Sequence, residues 1–158
     1  MFEIYTQWVN DPKAAHRAGR DLALKIATGK LGYTPEIHIG ENGKPYIDGV
    51  HFNISHSHNL VVCAFGEHDI GIDVEKIRDY RPRVAEKFHP EEIAHLEKSA
   101  DKNLEFFKIW TMKEAYLKCL GTGLSKALSF NVFKIPNMHT EIKDDYIISI
   151  CEKEATII

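Results

Sequence analysis

The alternation in Gly71-Ile72-Asp73-Val74-Glu75-Lys76 constrains the fold of this chain more than any other short segment. Apolar and charged residues take turns with a period of two. That is the pattern of a strand which buries Ile72 and Val74 on one face and projects Asp73 and Glu75, roughly 7 Å apart, on the other. Further along, the stretch from Leu104 to Leu120 has helix-forming composition, with Phe106, Ile109, Trp110, Tyr116, Leu117 and Leu120 covering much of its surface. Glu114 and Lys118, four residues apart, share one face of that helix. A strand and a helix of this kind imply a helix packed on a sheet. Three carboxylates beside an ammonium then have the chemistry of a magnesium site next to phosphate. Taken singly, each motif has a plainer meaning: an Asp-x-Glu strand is commonly a solvated edge, and a Glu-Lys pair one turn apart is commonly a weak surface ion pair.

The other elements follow from local signals. Asn10-Asp11-Pro12 marks a helix start, and the helix is expected to run to about Thr28, with Gly29 as its stop. Its apolar stripe is Ala15, Ala18, Leu22 and Ile26; Lys13, Arg17, Arg20 and Asp21 lie off the stripe and read as a solvated basic face. A short hydrophobic stretch, Glu36 to Ile39, leads into the turn Glu41-Asn42-Gly43, and His51 to His58 follows. Leu60 to Phe65 is rich in strand formers, and Gly66-Glu67-His68-Asp69 is expected to turn it back into Ile70 to Glu75 as an antiparallel hairpin. Arg81-Pro82-Arg83 and His89-Pro90-Glu91-Glu92 open helical stretches, Gly121-Thr122-Gly123 ends the long helix, and Ser129 to Ile135 and Tyr146 to Cys151 read as closing strands. Asn59 to Cys63 faintly echoes Tyr146 to Cys151, each a strand after a polar turn.

With 158 residues the chain suits one compact unit spanning 1–158. A content of 44% hydrophobic and 27% charged residues, without an apolar run of membrane-spanning length, excludes a helical membrane protein. The first residues carry neither a basic nor a hydrophobic leader region, so the expected location is cytoplasmic. A formal net charge of −3 gives no overall basic field, which argues against nucleic acid as a partner and leaves anions to a local patch. Cys63, Cys119 and Cys151 are odd in number and sit among apolar neighbours, as reduced core thiols do. His51, His56, His58 and His68 lack the spacing of a zinc site, and Trp8, Phe88, Phe106, Phe107 and Tyr116 read as core.

Three groups of residues, in order and covering most of the chain, resemble the 4′-phosphopantetheinyl transferases, specifically their surfactin-type branch. They are Gly43-Lys44-Pro45-Tyr46 leading to Phe52-Asn53-Ile54-Ser55-His56-Ser57; Gly71-Ile72-Asp73-Val74-Glu75; and Trp110-Thr111-Met112-Lys113-Glu114-Ala115-Tyr116-Leu117-Lys118, followed by Gly121-Thr122-Gly123-Leu124-Ser125. Ala15-His16-Arg17 also resembles the helix-borne His-Arg pair of that branch, with Ala18-Gly19-Arg20 where Leu-Leu-Gly often follows.

The resemblance implies an α/β (α+β) fold. It is a monomeric pseudo-dimer of two similar halves, about residues 1–70 and 71–158, each a small antiparallel sheet packed with a long helix, and this chain would be a shortened member. It further implies transfer of the phosphopantetheine arm of coenzyme A to a serine of an apo acyl or peptidyl carrier protein, with no membrane or nucleic acid involved. By similarity Asp73, Glu75 and Glu114 hold Mg²⁺, with Mn²⁺ as a substitute. Glu114 also receives the serine proton, and Lys118 stabilises or protonates the leaving side. Ser55, His56 and Lys44 contact the phosphates of the coenzyme, Arg17 grips its 3′-phosphate, and Lys113 touches phosphate or flanks the site. Two other functions fit part of the pattern. One is a coenzyme-A-binding homologue without catalysis, against which the retained carboxylates and Lys118 argue; the other is an unrelated magnesium-dependent phosphodiesterase, which the Asp-x-Glu strand alone permits.

Overall fold

The structure, a computed structural model, describes residues 1–122 and 127–154; Gly123, Leu124 and Ser125, at the end of the third motif, lie outside the described residues. Along the chain come β1 (Phe2–Trp8), α1 (Ala15–Leu31), β2 (His38–Ile39), β3 (Pro45–Tyr46), β4 (His51–Ser57), β5 (Leu60–Gly66), β6 (Ile70–Lys76), α2 (Pro82–Ala85), α3 (Pro90–Lys98), α4 (Lys102–Leu120), β7 (Met138–Lys143) and β8 (Tyr146–Glu152). The strands make two three-stranded antiparallel sheets, ordered β1-β5-β4 and β6-β8-β7, and a small β2-β3 ribbon. The fold is therefore mixed α/β (α+β), with α1 packed on the first sheet and α4 on the second. Two-residue turns close both sheets. Ser57 pairs with Leu60 across His58-Asn59, and Lys143 with Tyr146 across Asp144-Asp145; His58 (φ 50°) and Asp144 (φ 54°) take the left-handed conformation such turns demand. The echoing segments prove to be the two central strands, β5 and β8.

Alternation within strands builds the core. Leu60, Val62 and Ala64 of β5 meet Ile70, Ile72 and Val74 of β6 and Tyr146, Ile148 and Ile150 of β8 in one buried cluster, so the inner faces of the two sheets pack on each other. Cys63 and Phe65 point the other way, with Phe52, onto Ala23 and Ala27 of α1. Phe106, Phe107 and Ile109 of α4 are buried with Phe88, Leu96, Val132 and Ile147. The three cysteines are buried free thiols. Among the described residues no helix is long and apolar enough to cross a membrane.

Several expectations are corrected. β5 and β6 do not form a hairpin: both edges of β5 are taken by β1 and β4, and Glu67 to Asp69 carries the chain across to the second sheet, where β6 pairs with β8. Helix α1 runs past Gly29 and ends at Leu31, because Gly32 supplies the left-handed cap (φ 78°). The buried face of α1 is Ala15, Gly19, Ala23 and Ala27 rather than the bulkier stripe, since β4 approaches closely; a Cβ on Gly19 would lie 2.6 Å from Ile54 Cγ2. Ser129 to Ile135 contains a 3₁₀ turn, Val132–Lys134, capped by Asn131, instead of a strand. Trp8 is half-exposed on an edge strand, its ring against Tyr146. Strands β1 and β7 were not anticipated.

Where the sheets meet, β4 and β6 run side by side in the same direction without a backbone ladder. Alternate side chains of β4 take the place of that ladder. Asn53 Oδ1 accepts from the Ile72 N–H (2.8 Å), Ser55 Oγ from Val74 (3.2 Å) and Ser57 Oγ from Lys76 (3.0 Å). Buried backbone donors need partners, and here three side chains supply them.

Candidate active site

Helices α1 and α4, strands β4 and β6 and the β2-β3 ribbon surround a cavity of about 370 Å³. His16 and Arg20 come from α1, and Ile39, Gly43 and Pro45 from the ribbon and its turn. β4 contributes Ile54, Ser55 and His56, β6 contributes Asp73 and Glu75, and α4 contributes Trp110, Glu114 and Lys118, spaced four apart along one helical face. α4 can lie this close to β6 because residue 71 is glycine; a Cβ there would overlap the Ala115 carbonyl of the helix.

Charge is concentrated at the floor. Lys118 Nζ donates to Asp73 Oδ1 (2.9 Å) and to the Ile72 carbonyl (3.0 Å), and Ser55 Oγ donates to the same Asp73 oxygen (3.2 Å). Asp73 Oδ2 is buried without a hydrogen-bond partner. Burial raises the Asp73 carboxyl above its ordinary value, against the pull of Lys118. Burial, with the neighbouring charge of Asp73 opposed by Lys118 and then that of Glu75, pushes Glu114 up to about 7. Glu75 sits nearer the rim, where its oxygens accept from Arg78 Nη1 (2.9 Å) and Trp110 Nε1 (3.3 Å). His56 lies 6.1 Å from His16, ring centre to ring centre, and burial followed by the charges of His16 and Lys118 lowers its pKa, favouring the neutral imidazole.

Among the described residues no group of three or more His, Cys, Asp or Glu is already drawn together around a metal position. The reason is local: Lys118 occupies one oxygen of Asp73, and Arg78 and Trp110 engage those of Glu75. The donor set still suits a hard divalent cation. It offers carboxylate oxygens of three residues on one cavity, one of them a buried oxygen with no partner, and a Glu114 that feels the crowding of like charge.

The model of the 4′-phosphopantetheinyl transferase superfamily matches residues 69–151, more than half of the chain. The chain belongs to that superfamily. It is 41% identical over 105 residues to the 4′-phosphopantetheinyl transferase gsp of Aneurinibacillus migulanus (64% of this chain, 44% of that protein). It is 38% identical over 141 residues to a 4′-phosphopantetheinyl transferase of Bacillus subtilis (82% and 59%), and 35% identical over 134 residues to the 4′-phosphopantetheinyl transferase Sfp of Bacillus subtilis strain 168 (70% and 60%). These relatives and the motifs put it on the surfactin-type branch, and it spans roughly half the length of the relatives it matches.

Within this phosphopantetheinyl transferase superfamily chain, the motif residues have distinct fates. Asp73, Glu75, Glu114, Lys118, Ser55 and His56 all line the one cavity. The Ser55 hydroxyl is committed to Val74 and Asp73, so it braces the floor. Lys44 donates to the carbonyls of Ile70 (3.1 Å) and Lys118 (2.8 Å), tying the ribbon to β6 and to the end of α4, and burial lowers its pKa. Lys113 is a correction: it is 0% exposed, 2.7 Å from Glu92, donates to the Phe130 carbonyl (2.6 Å) and lies over the Phe88 and Phe130 rings, so no ligand in the cavity can reach it. Arg17 is 90% exposed, pairs with Asp21 at 3.9 Å and does not line this cavity. Sequence reading missed the cavity contacts of His16, Arg20 and Trp110. Trp110 stands four residues before Glu114, a spacing that could have revealed it, and Arg20 stands four after His16.

Proposed function

We propose that this chain transfers the 4′-phosphopantetheine arm of coenzyme A to a serine hydroxyl of an apo acyl or peptidyl carrier protein and releases adenosine 3′,5′-bisphosphate, with Mg²⁺ held by Asp73, Glu75 and Glu114. The observation that carries this reading is that Asp73, Glu114, Lys118 and His56 share one cavity in a chain of this superfamily. The names of its relatives support it. A cytoplasmic monomer is the setting we propose.

In the reaction the serine oxygen bonds to the pantetheine-side phosphorus as the pyrophosphate P–O bond toward adenosine breaks, and the electron pair leaves with adenosine 3′,5′-bisphosphate. A bound Mg²⁺ would neutralise charge on the pyrophosphate oxygens. Glu114 accepts the serine proton, directly or through water; little proton removal is needed before the bond loosens, so a carboxylate of modest basicity suffices. Lys118 sets a positive charge beside the leaving oxygens, and the neutral imidazole of His56 can donate a hydrogen bond to a phosphate oxygen. Ser55 holds Asp73 in orientation.

Mass spectrometry of an apo carrier incubated with the chain, coenzyme A and Mg²⁺ tests the proposal. Addition of the phosphopantetheine mass to the carrier serine is the expected result. Coenzyme binding without any transfer, across fatty-acid, polyketide and peptide-synthetase carriers, would leave a catalytically inactive homologue, and cleavage of simple phosphodiesters instead would indicate an unrelated hydrolase.

A further inference from the structure

The α1 side of the cavity carries a guanidinium, Arg20, that the motifs do not account for. His16 and Arg20, one helical turn apart, both line the cavity that the carboxylates of β6 and α4 also line. Arg20 is half-buried and also lines a second cavity of about 390 Å³ with Arg17, Asp21, Leu24, Pro35 and Ile37, so the residue borders both spaces. Among the described residues no carboxylate pairs with Arg20, whereas Arg17 is solvated and engaged by Asp21 at 3.9 Å.

We propose that Arg20, assisted by His16, is the phosphate-monoester clamp of this chain, taking the role that the motif resemblance gives to Arg17. The ligand class is a nucleotide bearing a terminal phosphate dianion on its ribose; under the coenzyme reading above, on which this inference rests, that group is the 3′-phosphate of coenzyme A. The charge layout sets the polarity of binding. The acidic floor repels a bare dianion, while Arg20 on the α1 rim attracts it, with the His16 ring one turn away as a hydrogen-bonding partner. A planar guanidinium that is half-buried and not held in an ion pair meets phosphate in two parallel hydrogen bonds, stronger and more directional than a contact from a solvated arginine already drawn to an aspartate. The position also explains why the helix can carry arginine where related sequences often have glycine: the side chain leaves the tightly packed Gly19 face and turns into open cavity.

The test is calorimetric binding of coenzyme A and of 3′-dephospho-coenzyme A to the wild type, Arg20→Gln, Arg20→Lys and Arg17→Gln, with transfer measured alongside. The wild type is expected to prefer coenzyme A. Arg20→Gln should erase that preference by weakening coenzyme A about tenfold or more while sparing the dephospho form, Arg20→Lys should fall between, and Arg17→Gln should change neither. In the transfer assay the Arg20→Gln loss should lie in KM rather than kcat. The inference is overturned by a wild type that does not discriminate the two nucleotides, by equal losses on both in Arg20→Gln, or by a selective loss in Arg17→Gln alone. Binding is read without a carrier, so a chain that binds as expected but fails to transfer would refute the proposed function and leave the clamp standing.

Discussion

Lys113 and Glu114 are neighbours in sequence with opposite fates. Successive helical residues diverge by about 100°, so one faces the α3 side and the other the cavity. The i,i+4 spacing made Glu114 and Lys118 legible as a pair, but nothing local to Lys113 announces Glu92, twenty-one positions earlier, as its partner. Lys113→Met should lower stability by about 3–5 kcal/mol because it strands a buried carboxylate. Thermal unfolding would register this, with KM for coenzyme A little changed in whatever protein remains folded; a large KM rise with unaltered unfolding would return Lys113 to the phosphates. Glu114→Gln removes the proton acceptor and one proposed metal oxygen while keeping size, so transfer should drop by about 10²-fold or more with the melting temperature retained. Near-native turnover in that variant would refute both roles.

Elements were easier to read than their partners. The period-two pattern announced β6, and a long run of helix-forming and apolar residues closed by Gly121 announced α4, both local properties. Which strand lies beside β6 is decided by distant residues, and so the expected hairpin with β5 was wrong: β1, which occupies one edge of β5, begins more than fifty residues earlier. The same limit hid β7, whose exposed and half-buried residues give only a weak alternation. The close approach of α4 to β6 is one more long-range fact, and it makes a prediction at this scale. Gly71→Ala places a methyl group against helix backbone that cannot move as a side chain can, so stability should fall by at least about 1–3 kcal/mol. Because α4 must shift relative to β6, transfer should fall too, beyond the fraction unfolded; full specific activity in the folded material would mean that the helix position is not critical.

At the scale of the whole molecule, the interface between the sheets combines an apolar core with the side-chain seam of β4. Asn53→Ala should cost about 1–3 kcal/mol by leaving the Ile72 N–H buried and unpaired, seen as a lower midpoint in urea. A second global property is the alkaline limit of the fold. Burial pushes Cys63 up to about 12 from an ordinary 9.0, so the folded chain keeps a proton that the unfolded chain releases. Its stabilising effect is complete below pH 9 and is lost as pH rises through that value toward 12, with a slope of up to about 1.4 kcal/mol per pH unit. Cys63→Ala should flatten the fall in melting temperature across that window relative to wild type, and unchanged slopes would count against the assignment.

The seam has a bearing on what the chain tolerates. Its three contacts join residues separated by the same nineteen positions, and between them stand Ile54 and His56, which face the cavity and offer β6 no equivalent oxygen. It therefore works as a ruler with one valid setting: a deletion between Asn53 and Ser55 would put every later graduation out of register and carry His56 out of step with Asp73. The connection at Glu67 and His68 lies outside both strands, and lengthening it would leave that setting untouched, giving up at most the two backbone bonds to Glu152.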